Sequence, residues 1–227
     1  MQNPKFICVL DFEATTEENV KFFDHEVIEF PSVLLKLNSN NEYECVSSFQ
    51  KFCRPLLNPV VSKFCHELTG ITQEQVDSGI NFINALNDHK KWLYTETSGN
   101  VVIVTCGFWD LSKMMVAECK KWNVVPDKIY MHYINIKKEF EKFYKTNAVS
   151  MTSMLDFLNI KLEGRHHSGI DDCGNIAKIW QRLAADGYLV SDSSYIKVES
   201  ESYKISHPNS KKELENKKLR EQRTIKN

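Results

Sequence analysis

Two stretches of the chain place carboxylates and histidines at spacings that could hold cations and move protons. The first is Asp11-Phe12-Glu13, directly after the apolar run Phe6–Leu10. Side chains alternate along a strand, so Asp11 and Glu13 share one face and Phe12 takes the other. Two like charges side by side on a core strand call for a compensating cation. A strand end that simply reaches solvent is the plainer alternative. The second stretch is GRHHSGIDDC, residues 164–173, in which adjacent histidines precede adjacent aspartates. His166 with Asp171 and His167 with Asp172 have the same spacing, and a helical wheel separates them. Asp171 shares a face with Asn175, Lys178 and Arg182, whereas Asp172 shares one with Ile176, Ile179 or Trp180, and Leu183. Asp172 should therefore point into the core, and Asp171 outward as a helix cap. A carboxylate facing the core needs a partner or a metal. That makes Asp172 and His167 the working pair and His166 a spare loop histidine. A second cap residue, or the partner of a buried hydroxyl, is the alternative for Asp172 alone.

A third carboxylate, Asp110, ends the run VVIVTCGFW and begins a helix. Taken singly it reads as a helix cap; taken with the others it completes a set of four at strand ends or helix starts. Oxygen-only ligands suit Mg²⁺ or Mn²⁺ rather than Zn²⁺, and Mg²⁺ keeps waters and binds substrate phosphates beside its carboxylates. Two such ions about 3.5–4 Å apart stabilise the attacking and leaving oxygens of an in-line displacement. A neutral histidine, with a reference pKa of about 6.5, suits removal of a proton from the attacking water. The residues by themselves thus point to metal-dependent hydrolysis of a phosphodiester.

These groups need a rigid frame. Phe6–Leu10, Val27–Leu37, 43–54 and 101–105 read as strands, with Pro31 marking an irregular or edge position in the second. Helical signals cover 62–68 up to Gly70, 72–77 capped by Thr72, 82–94, the segment after Asp110, Ile136–Tyr144, 151–158 and 171–185. Strands early and helices later predict an α/β or α+β fold, read as α/β with one central mixed sheet of about five strands flanked by helices. Residues 1–190 form the domain, and 191–227 read as a largely disordered, Lys-rich tail. The net charge of −1 hides an asymmetry, since 204–227 hold eight Lys or Arg against three Asp or Glu. The body is accordingly acidic, which argues against nucleic-acid binding by bulk electrostatics. The tail reads as a solubility segment, with non-specific affinity for phosphates as the alternative. Seven cysteines without a CxxC pair, no leader-like segment and no apolar stretch near 20 residues predict a reduced, soluble, cytoplasmic protein, with the nucleus as alternative. Cys65-His66 is too little for a zinc site.

The three stretches DFEAT, GFWDLSKM and HSGIDDCGNIAKI resemble the motifs of the DEDDh 3′-to-5′ exonucleases, which have a ribonuclease H-like fold. HEVIEFPSVLL and FCHELTGITQEQVD further resemble the subfamily related to the histone-mRNA and RNA-interference 3′-exonucleases. The likeness runs over about residues 5–190. It implies metal ligands at Asp11, Glu13, Asp110 and Asp172, holding two Mg²⁺ ions for which Mn²⁺ can substitute, and His167 as general base. It also implies that Glu13 lies close to the attacking water. The 3′-terminal nucleotide would lie against Glu13, Ala14 and His167, with Leu68 in a loop near its sugar. Trp109 either stacks on a base or packs in the core, and Phe12 belongs to the core. The implied substrate is the 3′ end of single-stranded RNA, and the implied products are nucleoside 5′-monophosphates. A DNA-preferring exonuclease of the same fold and a non-catalytic binding scaffold are the competing readings. The sequence shows no nucleic-acid-binding module of the kind some relatives carry, so it gives no basis for stem-loop recognition.

Overall fold

The computed structural model describes residues 3–20, 23–147 and 150–203. Its centre is β1 (Phe6–Leu10), whose side chains alternate between two core layers. Ile7 and Val9 enter one layer; Cys8 and Leu10, and then Phe12 beyond the strand, enter the other. Every residue from Ile7 to Leu10 is fully buried, as expected of a strand covered on both faces. β1 pairs antiparallel with β3 (Val27–Leu37) and parallel with β5 (Val102–Thr105). β3 also carries β2 (Glu13–Ala14) and β4 (Tyr43–Phe52), while β5 continues through β6 (His132–Asn135) to β7 (Tyr195–Lys197).

Among the described residues the mixed sheet has seven strands, against the about five expected. The strands missed are two to four residues long, too short to show a period. Pro31 lies inside β3 yet costs no ladder bond to β1. It falls between the β1 pairing, which ends at Leu10 with Ser32, and the β2 pairing, which begins at Glu13 with Glu29.

Helices cover both faces. The face towards Phe12 packs against α3 (Phe82–Thr97) and α4 (Met115–Trp122). The face towards Val9 packs against α5 (Ile136–Tyr144), α6 (Met151–Phe157) and α7 (Gly169–Ala185). The short helices α1 (Lys63–Thr69) and α2 (Gln73–Asp77) are capped by Ser62 and Thr72, and α1 ends at left-handed Gly70; the Thr72 cap and the Gly70 stop are as expected, while Ser62 caps its helix rather than opening it.

The domain boundary at 190 needs correction. β7 adds a strand antiparallel to β6, Val198 N–H donates to Met131 O at 2.8 Å, and Tyr203 is buried in the core layer beneath α4. The segment is poor in apolar residues but spends the few it has as anchors, so composition alone does not show that it folds. The rest of the predicted tail, 204–227, lies outside the described residues.

One buried polar group tests the packing. His89 is fully enclosed among Phe30, Phe49, Trp92 and Tyr130. Its ring nitrogens lie 2.8 Å from Tyr130 Oη and 2.9 Å from Ser32 Oγ. Ser32 Oγ donates onward to Pro31 O, so it accepts from His89 Nε2–H, and Nδ1 accepts from Tyr130. Burial lowers the imidazole pKa to about 3. The unfolded chain therefore binds a proton below about pH 6.5 that the folded chain refuses, and stability falls as pH drops through that window. Between pH 7.5 and 5.5 this group should cost roughly 1.4 kcal/mol, a loss that His89→Asn removes from urea unfolding curves.

Candidate active site

The site grows from the end of β1. The alternation that sends Val9 towards α7 continues past the strand, so Asp11 and then Glu13 point to that side while Phe12 packs edge-on against Phe30, 4.7 Å away. α7 brings Asp172 to the same place. Single oxygens of Asp11, Glu13 and Asp172 all lie within 4.8 Å of one another. Glu13 and Asp172 are buried and Asp11 partly so.

Asp110 reaches the cluster from the other side. It opens a π-helical turn, Asp110–Met114, that leads into α4. Its Oδ1 accepts the Phe12 N–H at 2.9 Å, fixing the backbone between the two acidic residues. Trp109, not Asp110, holds the cap position of the turn, and the Asp110 carboxylate crosses to the backbone that follows β1.

Burial and mutual repulsion set the electrostatics. Burial first, then Asp110, Glu13, Asp172 and Glu29, hold the Asp11 carboxyl well above the usual range. Burial and the charges of Glu29, Asp172 and Asp110 raise Glu13 to about 9. Asp110 and Asp172 are each raised to about 6, chiefly by burial. Asp172 Oδ2 accepts the His167 N–H at 2.9 Å, but its buried Oδ1 has no partner among the described residues. An unpaired carboxylate oxygen beside two more raised carboxyls fits a divalent cation, which would supply the missing partner and offset the repulsion.

His167 and Asp172 are the pair that the helical wheel selects, although the link runs through the histidine backbone rather than its ring. His167 is half-buried and adopts a left-handed φ of +66°. Burial, then the neighbouring His166 and Arg165, lower its pKa. His166 is exposed and stacks on it at 3.9 Å between ring centroids.

The outer face of α7 departs from expectation. The helix starts at Gly169, two residues early, and Asp171 does not cap it; its Oδ2 accepts the Arg165 N–H at 2.9 Å. Asn175 is buried, not solvated, and grips Glu163 by both N–H (3.0 Å) and C=O (2.8 Å). Both residues clamp the His-bearing loop, which folds back over the helix and covers a face that looks solvent-facing on the wheel.

Of the other expected contact residues, Ala14 is buried in β2 beside Glu13. Leu68 lies in the last turn of helix Lys63–Thr69 rather than in a loop. Trp109 is 38% exposed and forms a T-shaped pair with the His25 ring, 6.1 Å away, so it is not packed in the core. The residue that sequence reasoning missed is Glu29, buried on β3 and paired in register with Glu13. Its only signal was an acid inside an otherwise apolar strand.

A family model described as exonuclease matches residues 8–180. The chain is 40% identical over 188 residues to the rat protein named 3′-5′ exoribonuclease 1, covering 80% of this chain and 54% of that one. It thus spans about half the length of the curated relatives it matches. Among solved structures, the nuclease domain of 3′hExo, a DEDDh family member bound to rAMP, has a TM-score of 0.76 and 38% identity, covering 81% of this chain and 94% of that one. A 3′-exonuclease from work on 3′-end-specific recognition of a histone mRNA stem-loop has a TM-score of 0.78 and 34% identity, covering 88% and 93%.

The raised carboxyls carry a stability cost with a definite sign. A pKa lifted in the folded state means that stability falls as pH rises, from the ordinary carboxyl range up to about 9 for Glu13. In EDTA at pH 8, Glu13→Gln should melt above wild type, by roughly 2–4 °C for each kcal/mol relieved, and the gap should close near pH 5. Adding Mn²⁺ should raise the melting temperature of wild type more than that of the variant.

Proposed function

Because the chain belongs to the exonuclease family, we propose that it is a 3′-to-5′ exoribonuclease that hydrolyses the last phosphodiester of single-stranded RNA and releases nucleoside 5′-monophosphates. The observation that carries this reading is the Asp172 carboxylate, close to the oxygens of Asp11 and Glu13 and with its buried Oδ1 unpartnered among the described residues, beside a histidine of lowered pKa on the adjoining loop.

In this reading Asp11, Glu13 and Asp172 would hold two Mg²⁺ ions, for which Mn²⁺ can substitute. Asp110 contributes only the oxygen that Phe12 N–H leaves free. Bound divalent cations neutralise the carboxylates, polarise the phosphate and lower the pKa of water. His167 receives the proton of the attacking water at a ring nitrogen, a task for which its lowered pKa keeps it neutral. Its backbone, tethered to Asp172, keeps the ring close to the carboxylates. Glu13 lies against the attacking water and the terminal sugar, with Ala14 and Leu68 beside it, and the exposed face of Trp109 stacks on a base. RNA is preferred to DNA in this proposal because the similar curated proteins are named exoribonucleases.

A time course on matched 3′- and 5′-labelled RNA and DNA oligonucleotides, in Mg²⁺, Mn²⁺ or EDTA, tests it. Stepwise 3′ shortening of RNA that needs metal and vanishes in Asp172→Asn is the expected outcome. Asp171→Asn, which loosens only the loop clamp, should keep most of the activity. His167→Ala should lower kcat about 10²–10⁴-fold. Wild-type kcat should rise with pH and level off below 6.5, since the base acts when deprotonated and its pKa is lowered. Shortening of DNA in preference to RNA would overturn the substrate, and no shortening under either metal would overturn the activity.

A further inference from the structure

Glu29 is a fifth carboxylate at the site, and it is held differently from the other four. It lies on β3 in register with Glu13, is 2% exposed, and among the described residues forms no ion pair. Its negative charge makes ionisation of both Asp11 and Glu13 harder. An acid in that position is unfavourable unless it has another task.

Both of its oxygens are occupied. Oε1 accepts from Gln50 Nε2 at 2.7 Å, which fixes the carboxylate plane from β4. Oε2 accepts from Gly169 N–H at 3.2 Å, the first residue of α7. That amide belongs to the orphan donors of a helix start, and the Ser168 side chain does not cap it.

The helix end is also pressed close at this point. A Cβ on Gly169 would lie 2.7 Å from Pro31 Cγ and 3.0 Å from the Asp11 carbonyl oxygen. Backbone thus meets backbone where α7 touches the end of β1. Asp172 follows Gly169 by three residues, less than one helical turn, and Asp172 in turn holds His167. Any shift of the first turn is passed to both.

We propose that Glu29 is a positioning residue. By binding the Gly169 amide it seats the start of α7 on the sheet and so sets where Asp172 and His167 stand relative to Asp11 and Glu13. The inference rests on the metal-dependent reading given above. It assigns Glu29 no contact with cation or substrate.

The test compares Glu29→Gln and Glu29→Ala for kcat and KM on RNA, for the Mg²⁺ activation midpoint, and for the Mn²⁺ concentration that raises the melting temperature. Glutamine keeps an oxygen for Gly169 N–H, so Glu29→Gln should stay near wild type in all of them. Glu29→Ala should lose kcat and metal affinity by roughly 10–100-fold, the usual range for groups that orient metal ligands, with RNA KM little changed. Gly169→Ala keeps every carboxylate in the chain but crowds Pro31, the Asp11 carbonyl and, at 3.1 Å, Glu29 Oε2, so it unseats the same helix end and should reproduce that pattern; it serves if Glu29→Ala does not fold. A Gly169→Ala protein with wild-type kcat and metal midpoints would overturn the proposal. So would Glu29→Gln as damaged as Glu29→Ala, because the charge itself would then be at work. If wild type binds Mn²⁺ but cuts no RNA, the nuclease reading fails, while the Mn²⁺ midpoints of the variants still decide the role of Glu29.

Discussion

The structure depends on repulsion among carboxylates that it buries together and does not neutralise. A second acidic group in the same chain shows how unusual that is. Glu26 and Glu118 are equally buried, but Lys121 Nζ lies 2.9 Å from one and 3.2 Å from the other. Glu26 also accepts the N–H groups of Leu56, Leu57 and Asn58, and Glu118 that of Val27. That cluster is tied internally: the two carboxylates share one ammonium and several N–H groups, and they tie the 56–58 loop and the start of β3 to α4. At the end of β1 none of the four carboxylates forms an ion pair among the described residues, and one buried oxygen has no partner. The first arrangement fastens a fold, and the second has the donor set of a divalent-cation site.

The fold supports this cost with rigid neighbours. β1 is covered on both faces, so the direction of Asp11 follows from the packing of Ile7 and Val9. The Asp110 carboxylate pins the Phe12 amide between the two acids. Asp171 and Asn175 bind the loop that carries His167 through backbone groups, which confine it without occupying its ring. Most of the polar bonds that shape the site are thus side chain to backbone, and those on Asp110 and Asp172 each engage one oxygen of the carboxylate.

Much was legible in the sequence because it is encoded locally. The period of β1 sorts Phe12 from its acidic neighbours. The apolar stripe of α7 separates Asp172 from Asp171, and both assignments agree with the burial found. The cap at Thr72 and the break at Gly70 mark their helices by short-range bonds that need no tertiary partner. The order of strands and helices along the chain was enough for a mixed sheet flanked by helices.

What tertiary structure alone decided are the contacts between residues far apart in sequence. Glu29 looks like an irregular acid in a strand until β2 pairs Glu13 with it and α7 presents Gly169 N–H. Asp110 looks like a cap until the Phe12 amide lies against it. Asn175 looks solvated until the loop covers it, and 191–203 look too polar to fold until β6 offers an edge. A periodic pattern reports which way a side chain points relative to its own element. Which group meets it there depends on how separate elements pack, and no local spacing contains that.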